Sequence, residues 1–119
     1  MSYDISIFHI SVKQKVDEGL VLDGFEHPFL EEKDVARFLE RLVKYAYKVE
    51  SEDTSMKTFM KEVNGCPIEV HVFDTEISFS VPFWESSRSA IFEALQDATE
   101  LSDSDTMALY DPQAGEWTV

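Results

Sequence analysis

Strict alternation of apolar and polar residues marks two strands in the middle of the chain, IEVHV at 68–72 and ISFSV at 77–81. An alternation of period two is typical of a strand with one buried face. A turn at Asp74-Thr75 would place both apolar rows on the same side of a sheet. The predicted cross-strand pairs are Val72 with Ile77, Val70 with Phe79 and Ile68 with Val81.

A third strand precedes these two and is joined to them at Asn64-Gly65. Asn-Gly favours a two-residue hairpin turn, but that turn would put Lys57 and Lys61 on the apolar side. A three-residue loop with Gly65 in a bulge instead sets Met60 opposite Ile68. We therefore predict the bulged hairpin.

The opposite face of this sheet is a candidate binding surface, because no predicted element remains to cover it. Within it, Glu69 and His71 are two residues apart and could form an acid–base or metal site. A solvated strand face produces such pairs freely, and the sequence indicates no third ligand. The residues predicted on this face are Lys57, Phe59, Lys61, Glu69, His71, Phe73, Glu76, Ser78 and Ser80.

Two longer segments have helical periodicity. The first runs from Glu31 to about Ala46, and the second from a cap at Ser86 or Ser87 to about Leu101. The predicted inner residues of the first are Val35, Phe38, Leu39, Leu42, Val43 and Ala46, and those of the second are Ile91, Ala94, Leu95, Ala98 and Leu101. The second helix has an acidic outer stripe of Glu93, Asp97 and Glu100.

The remaining segments predict further strands, a short helix and a covering loop. Residues 2–10 alternate as a central strand, and residues 47–49 begin another extended segment. Residues 11–30 predict a short helix near Val12–Glu18, followed by a loop that covers an edge of the core through Leu20, Leu22, Phe25, Phe29 and Leu30. Residues 107–110 and 116–119 predict two short strands around a turn.

Together these elements predict one α+β domain spanning residues 1–119. We expect a mostly antiparallel sheet of about five strands with two helices packed on one face, in a plait that resembles a split βαβ unit. This fold occurs in enzymes, sensors and binding modules alike, so it does not define a function.

Composition narrows the class of protein. The chain has one cysteine, Cys66, no apolar run long enough for a membrane span, and no basic leader followed by an apolar segment. We therefore expect a cytoplasmic protein. Cys66 is expected to be a structural thiol, since no neighbour would lower its pKa. No catalytic or nucleotide-binding motif is present, and we predict a non-enzymatic protein without a cofactor or metal.

Charge is concentrated in the second half of the chain. The net charge is −14, and residues 62–119 contain twelve Asp or Glu against Arg88 alone. Such a surface repels nucleic acid and anionic membranes and attracts basic proteins. A plainer interpretation is that the charge only keeps the protein soluble.

The segments VNGCPIEV, SFSVPFWESSRSAIFEALQDA and LYDPQAGEW cover most of the second half. They resemble small bacterial immunity proteins found beside contact-dependent or polymorphic toxins. The resemblance implies a cytoplasmic protein, monomeric or weakly dimeric, that binds and neutralises a cognate basic toxin. The candidate partner-binding residues are Glu93, Asp97, Glu100, Asp103, Asp105, Trp84 and Trp117, although either tryptophan could instead fill the core.

Two other classes of function stay open. A small enzyme or ligand-binding domain would use the open sheet face, with Glu69 and His71, or a pocket under the 11–30 loop. A structural subunit that associates with itself would show an apolar contact with two-fold symmetry.

Overall fold

In a computed structural model, the described residues are 2–22, 24–82 and 88–118, and they form seven strands and three helices. The elements are β1 (Ser2–His9), α1 (Ile10–Asp17), α2 (Glu32–Lys44), β2 (Lys48–Glu52), β3 (Lys57–Val63), β4 (Cys66–Val72), β5 (Glu76–Pro82), α3 (Arg88–Leu101), β6 (Met107–Asp111) and β7 (Glu116–Thr118). The α+β class is confirmed. The expected five strands and two helices were too few.

All seven strands belong to one antiparallel sheet, in the order β2-β3-β4-β5-β1-β6-β7. β1 lies inside the sheet, as its alternation predicted. β1 and β4 run parallel to each other on either side of β5, and α2 lies in the connection between them, which is the arrangement of a split βαβ unit. The β2–β3 hairpin and β7 extend this unit at its two edges.

One face of the sheet packs against α2 and α3. Phe79 of β5 lies in the middle of this core, and its ring contacts those of Phe38 and Tyr47 edge-on, with ring centroids 6.2 Å apart in both pairs. From α3 the core receives Ala90, Ala94 and other small residues, so the helix can lie close to the sheet.

The β4–β5 hairpin has the predicted register. Val72 pairs with Ile77 and Val70 with Phe79, and the four side chains are buried. The apolar alternation determined this register, because a slip of one residue would move both rows into solvent.

The predicted bulge at the β3–β4 turn was wrong. Val63 pairs directly with Cys66, and Asn64 and Gly65 form a two-residue turn with φ of 51° and 80°. A turn that needs positive φ at both positions is the one that Asn-Gly favours. Lys61 therefore does face the α3 side, opposite Ile68, and Phe59 lies in the core instead of on the open face. The sheet tolerates this lysine because α3 supplies carboxylates for it.

The opposite face of the sheet is only partly open. α1 contacts β1 and β6 there, and the cross-strand neighbours Phe8 and Ala108 are buried. The rings of His27 and Trp117 lie 5.2 Å and 6.1 Å from that of Phe8. The expectation that no element would cover this face was wrong at this end of the sheet, because the short helix folds back over it.

The 11–30 segment contains the predicted helix but covers less of the core than predicted. Leu30 is buried, and its N–H donates to the Asp74 carbonyl over 2.9 Å. Leu20 and Phe29, in contrast, are exposed, Phe29 by 72%.

The first long helix ends earlier than its periodicity predicted. α2 stops at Lys44, and Ala46 has a positive φ of 72°. The Ala46 N–H donates to the Val43 carbonyl, and the Tyr47 N–H donates to the Leu42 carbonyl. This is a Schellman motif with alanine where glycine is usual. Val43 and Ala46 were expected to face the core, but Val43 is exposed on the last turn of α2, and Ala46 is exposed in the turn that follows the helix.

Candidate functional site

Asp97 of α3 lies in a buried polar cluster with Lys61 and Tyr47. Its Oδ2 accepts a hydrogen bond from the Lys61 Nζ over 2.6 Å and another from the Tyr47 hydroxyl over 2.9 Å. The Lys61 ammonium also lies 4.5 Å from the centroid of the Tyr47 ring. Burial and the Asp97 charge raise the pKa of Tyr47 far above its ordinary value. Although burial lowers the pKa of Lys61, its contacts with Asp97 and Glu93 outweigh that effect and raise it.

The acidic stripe predicted on α3 is therefore only partly an exposed surface. Asp97 is 5% exposed, so its predicted place on the outer face was wrong. Glu93 is partly exposed and lies 2.8 Å from the same lysine. One cation thus compensates two of the three carboxylates, and the cluster ties β3 to α3.

The other acidic candidates lie further along the same helix and beyond it. Glu100 is exposed and accepts a hydrogen bond from the Tyr45 hydroxyl over 2.5 Å. Asp103 and Asp105 are exposed in the connection between α3 and β6, where the Arg37 guanidinium donates to the Asp103 carbonyl. We refer to these three residues together with Glu93 as the acidic corner, since all four lie on α3 or in the connection that follows it.

The two candidate tryptophans are separate cases. Trp84 lies outside the described residues. Trp117 of β7 is half-buried, and its ring centroid lies 4.8 Å from that of Tyr110 and 6.1 Å from that of Phe8. It packs against the covered end of the second sheet face, and the structure does not bring it together with the α3 stripe.

A polar hollow of about 480 Å³ lies beside the acidic corner, between the start of α2 and the α3–β6 connection. Asp34 is buried at its edge and accepts hydrogen bonds from the hydroxyls of Ser104 and Thr106. Because both carboxylate oxygens have donors, Asp34 fastens the two segments together. The hollow also contains Lys33, Arg37, Asp103 and Asp105, a mixture of both charges.

An apolar groove of about 470 Å³ lies on the other side of α2. α2 forms one wall, and the β2–β3 and β4–β5 turns form the other. The apolar side chains that line it are Phe29, Val35, Leu39, Met56, Val72 and Phe73. Phe29 is 72% exposed and Phe73 37%, so two aromatic rings stand at an open surface.

The rim of this apolar groove is acidic. Glu32 from α2, Asp53 from the β2–β3 turn and Asp74 from the β4–β5 turn line it, with Lys57 as its one cation. The Lys57 ammonium lies 3.2 Å from Glu52. Among the described residues, the three rim carboxylates have no cation within 4.0 Å, so their charge is not compensated.

The alternative site on the open face is weak in the structure. His71 Nε2 lies 3.4 Å from Glu69, and its Nδ1 lies 3.2 Å from the Thr58 hydroxyl. Within 2–22, 24–82 and 88–118, no group of three or more His, Cys, Asp or Glu could hold a metal ion. Cys66 is buried, and burial raises the pKa of its thiol. The thiol is thus held in its less reactive, neutral form.

The sequence analysis did not predict the apolar groove, although the amino-acid sequence contains an indication of it. Phe29, Met56 and Phe73 lie in loops or next to turns, where polar residues are usual. They come from three separate places in the chain, and only the folded sheet brings them together. Apolar residues in turns, where polar residues are usual, were the feature of the sequence that could have indicated a binding surface.

No family model, curated protein or solved structure matches this chain. In the part of the chain that the structure describes, no helix is both long enough and apolar enough to cross a membrane.

Proposed function

We propose that this chain is a non-enzymatic immunity or inhibitor protein of the cytoplasm, which binds a basic toxin domain and neutralises it. The observation that supports this most is the size and exposure of its negative charge. With a net charge of −14 on 119 residues, the protein attracts cationic surfaces over a distance of about one Debye length, roughly 8 Å at physiological salt.

The pattern of ion pairs strengthens this proposal. Counting only pairs within the described residues, five of the ten basic residues already lie within 4.0 Å of a carboxylate of the same chain: Lys13, Lys33, Lys44, Lys57 and Lys61. These cations compensate local carboxylates and leave the larger number of acids facing solvent. A partner that supplies cations would relieve the remaining repulsion, and electrostatic attraction of this kind raises association rates.

The proposed mode of action is steric. A toxin held against an acidic surface loses access to its own substrate, and no chemical step by this chain is needed. If that substrate is a nucleic acid, the acidic protein competes for the same cationic surface, since a nuclease must also bind phosphates. We propose the acidic corner of Glu93, Glu100, Asp103 and Asp105 as one region where the partner docks.

The test uses the protein encoded by the gene adjacent to this one. That protein is expressed alone and together with this chain, and growth of the host cells is measured. We expect expression alone to stop growth and co-expression to restore it, with a complex of the two purified proteins detectable by calorimetry. Growth arrest that co-expression does not relieve, or harmless expression of the neighbour, would contradict the proposal.

A charge variant tests the electrostatic part separately. Asp103→Asn with Asp105→Asn removes two charges from exposed positions. We expect this variant to fold normally, to associate more slowly with the neighbour protein at low salt, and to show a weaker dependence of the association rate on salt. Glu116→Gln with Glu50→Gln is the matched control, because it removes two exposed charges from the opposite edges of the sheet.

A further inference from the structure

We infer that the apolar groove beside α2 binds an apolar segment of a partner protein that carries Lys or Arg at its ends. This inference rests on the proposed function in expecting a basic protein partner, and it identifies the part of that partner that is recognised. It adds a second docking region, on the α2 side that faces the β2–β3 and β4–β5 turns, separate from the acidic corner.

The first argument is the apolar lining. Phe29 and Phe73 expose aromatic rings at the groove, and Met56 of the β2–β3 turn lines the same groove. Exposed aromatic and methionine side chains are enriched where proteins bind one another. Leu30, the neighbour of Phe29, is buried in the core, so Phe29 is held at the surface by a fixed backbone.

The second argument is that the groove is preformed. The Leu30 N–H donates to the Asp74 carbonyl over 2.9 Å, which joins the loop before α2 to the β4–β5 turn. The Asp53 N–H donates to the Met56 carbonyl, and the Phe73 N–H to the Glu76 carbonyl, both over 2.8 Å. Each turn that lines the groove is thus closed by its own hydrogen bond. A partner would lose little free energy in ordering these walls.

The third argument is charge, which favours a ligand with basic residues. Glu32, Asp53 and Asp74 surround the apolar lining from three different elements, and no cation of the described residues compensates them. A neutral apolar segment would desolvate these carboxylates without pairing them, which is unfavourable. A segment with Lys or Arg at its ends would cover the rings with its apolar part and pair the rim with its charges.

The open shape argues for a protein segment over a small molecule. Small-ligand sites enclose most of the ligand surface. Here Phe29 and Phe73 both keep much of their surface in solvent, so the groove covers a ligand from one side only. A segment anchored in a larger partner needs no enclosure, because the rest of the partner covers its outer side.

The experiment uses the full chain, labelled with ¹⁵N, and two synthetic amphipathic peptides. One is a Leu-rich segment with Lys at both ends, called the Leu/Lys peptide, and the other, the Leu/Glu peptide, has Glu in place of every Lys. We expect the Leu/Lys peptide to shift the amide signals of residues 29–36, 53–57 and 72–74, and the Leu/Glu peptide to leave them in place. Absence of shifts, shifts centred on α3, or equal binding of both peptides would overturn the inference.

Variants then distinguish binding in the groove from nonspecific binding to any exposed aromatic ring. Phe29→Ser with Phe73→Ser should lower the affinity for the Leu/Lys peptide by about tenfold or more, as expected for loss of aromatic contact residues. Phe92→Ser is the control, because Phe92 is 71% exposed, like Phe29, but lies on α3. It should change the affinity by less than about twofold. Equal effects of the two variants would show that the peptide binds any exposed ring.

The charge of the rim is tested by Glu32→Gln with Asp74→Asn. This variant should bind the Leu/Lys peptide with lower affinity at low salt, and that affinity should depend less on salt. An unchanged affinity would contradict the part of the inference that concerns basic residues. These measurements do not depend on the toxin assay. Peptide binding without growth protection would argue against the immunity function, but the inference about the groove would still hold.

Discussion

Lys61 Nζ lies 2.6 Å from Asp97 Oδ2, and the two residues are 36 positions apart in the sequence. Both side chains are largely buried, with 12% of Lys61 and 7% of Asp97 exposed. A lysine on the apolar side of a strand is unfavourable alone. This contact therefore explains why the Asn-Gly hairpin can keep its two-residue turn. It also gives Asp97 a structural role, in stabilising the folded state.

The first prediction concerns the stability of this pair. Asp97→Ala should lower the free energy of unfolding by about 2–4 kcal/mol, because it leaves the Lys61 ammonium and the Tyr47 hydroxyl buried without their acceptor. Urea denaturation measures the change. Glu93→Ala is the control, and it should cost less than about 1 kcal/mol because Glu93 is partly exposed. Equal losses for the two variants would refute the structural role of Asp97.

A double variant isolates the cause of that loss. Lys61→Met added to Asp97→Ala should recover about 1 kcal/mol or more, since no unpaired ammonium is then left in the interior. Lys61→Met alone completes the cycle. If the losses of free energy of unfolding in the two single variants sum to that of the double variant, the contact between Lys61 and Asp97 contributes nothing to stability.

The second prediction concerns the end of α2. Ala46→Gly should raise the free energy of unfolding by about 0.5–1 kcal/mol, because Ala46 has a positive φ that glycine adopts without strain. Ala36→Gly is the matched control at an exposed position inside the same helix, where it should cost about 1 kcal/mol. Thermal or urea unfolding of both variants checks the opposite signs. Destabilisation by Ala46→Gly would contradict the Schellman assignment.

The third prediction concerns alkaline pH. Burial and the hydrogen bond to Asp111 raise the pKa of Tyr3 to about 12, from an ordinary value of 10.0. Between these values the unfolded chain loses this proton while the folded chain keeps it, so stability should fall as pH rises from about 10 to about 12. Tyr3→Phe should make that fall shallower.

The control for this titration is Tyr110→Phe. The Tyr110 hydroxyl makes no hydrogen bond within the described residues, so this variant controls for the loss of a tyrosine hydroxyl as such. Unfolding followed by fluorescence at a series of pH values gives the measurement. The same slope in wild type and Tyr3→Phe would remove Tyr3 as a contributor.

The fourth prediction concerns the two faces of the central strands. Val70→Ala should cost about 1–3 kcal/mol through lost burial and a cavity, because Val70 is fully buried between the sheet and the helices. Ser78→Ala, on the other face, should change stability by less than about 0.5 kcal/mol. Similar urea midpoints for the two variants would be incompatible with the observed faces.

The sequence by itself determined the features that depend on near neighbours. The alternation at 68–72 and 77–81 defined the β4–β5 register, because shifting it would expose two complete apolar rows. Helical periodicity located α2 and α3 to within a few residues. The Asn-Gly pair favours a two-residue turn, and the structure has that turn in place of the predicted bulge. Each of these depends on backbone preferences or on the alternation of one or two segments.

Only the tertiary structure decided which polar residues are buried and which apolar ones are exposed. Asp97 was predicted to face solvent, since its helical position matches that of Glu93 and Glu100, and nothing near it in sequence identifies Lys61 as its partner. Phe29, Met56 and Phe73 likewise form one groove because the strand order β2-β3-β4-β5 brings two turns beside α2. The physical reason is the same in both cases: burial and pairing depend on contacts between segments that are distant in the chain, and the local pattern of residues does not encode those contacts.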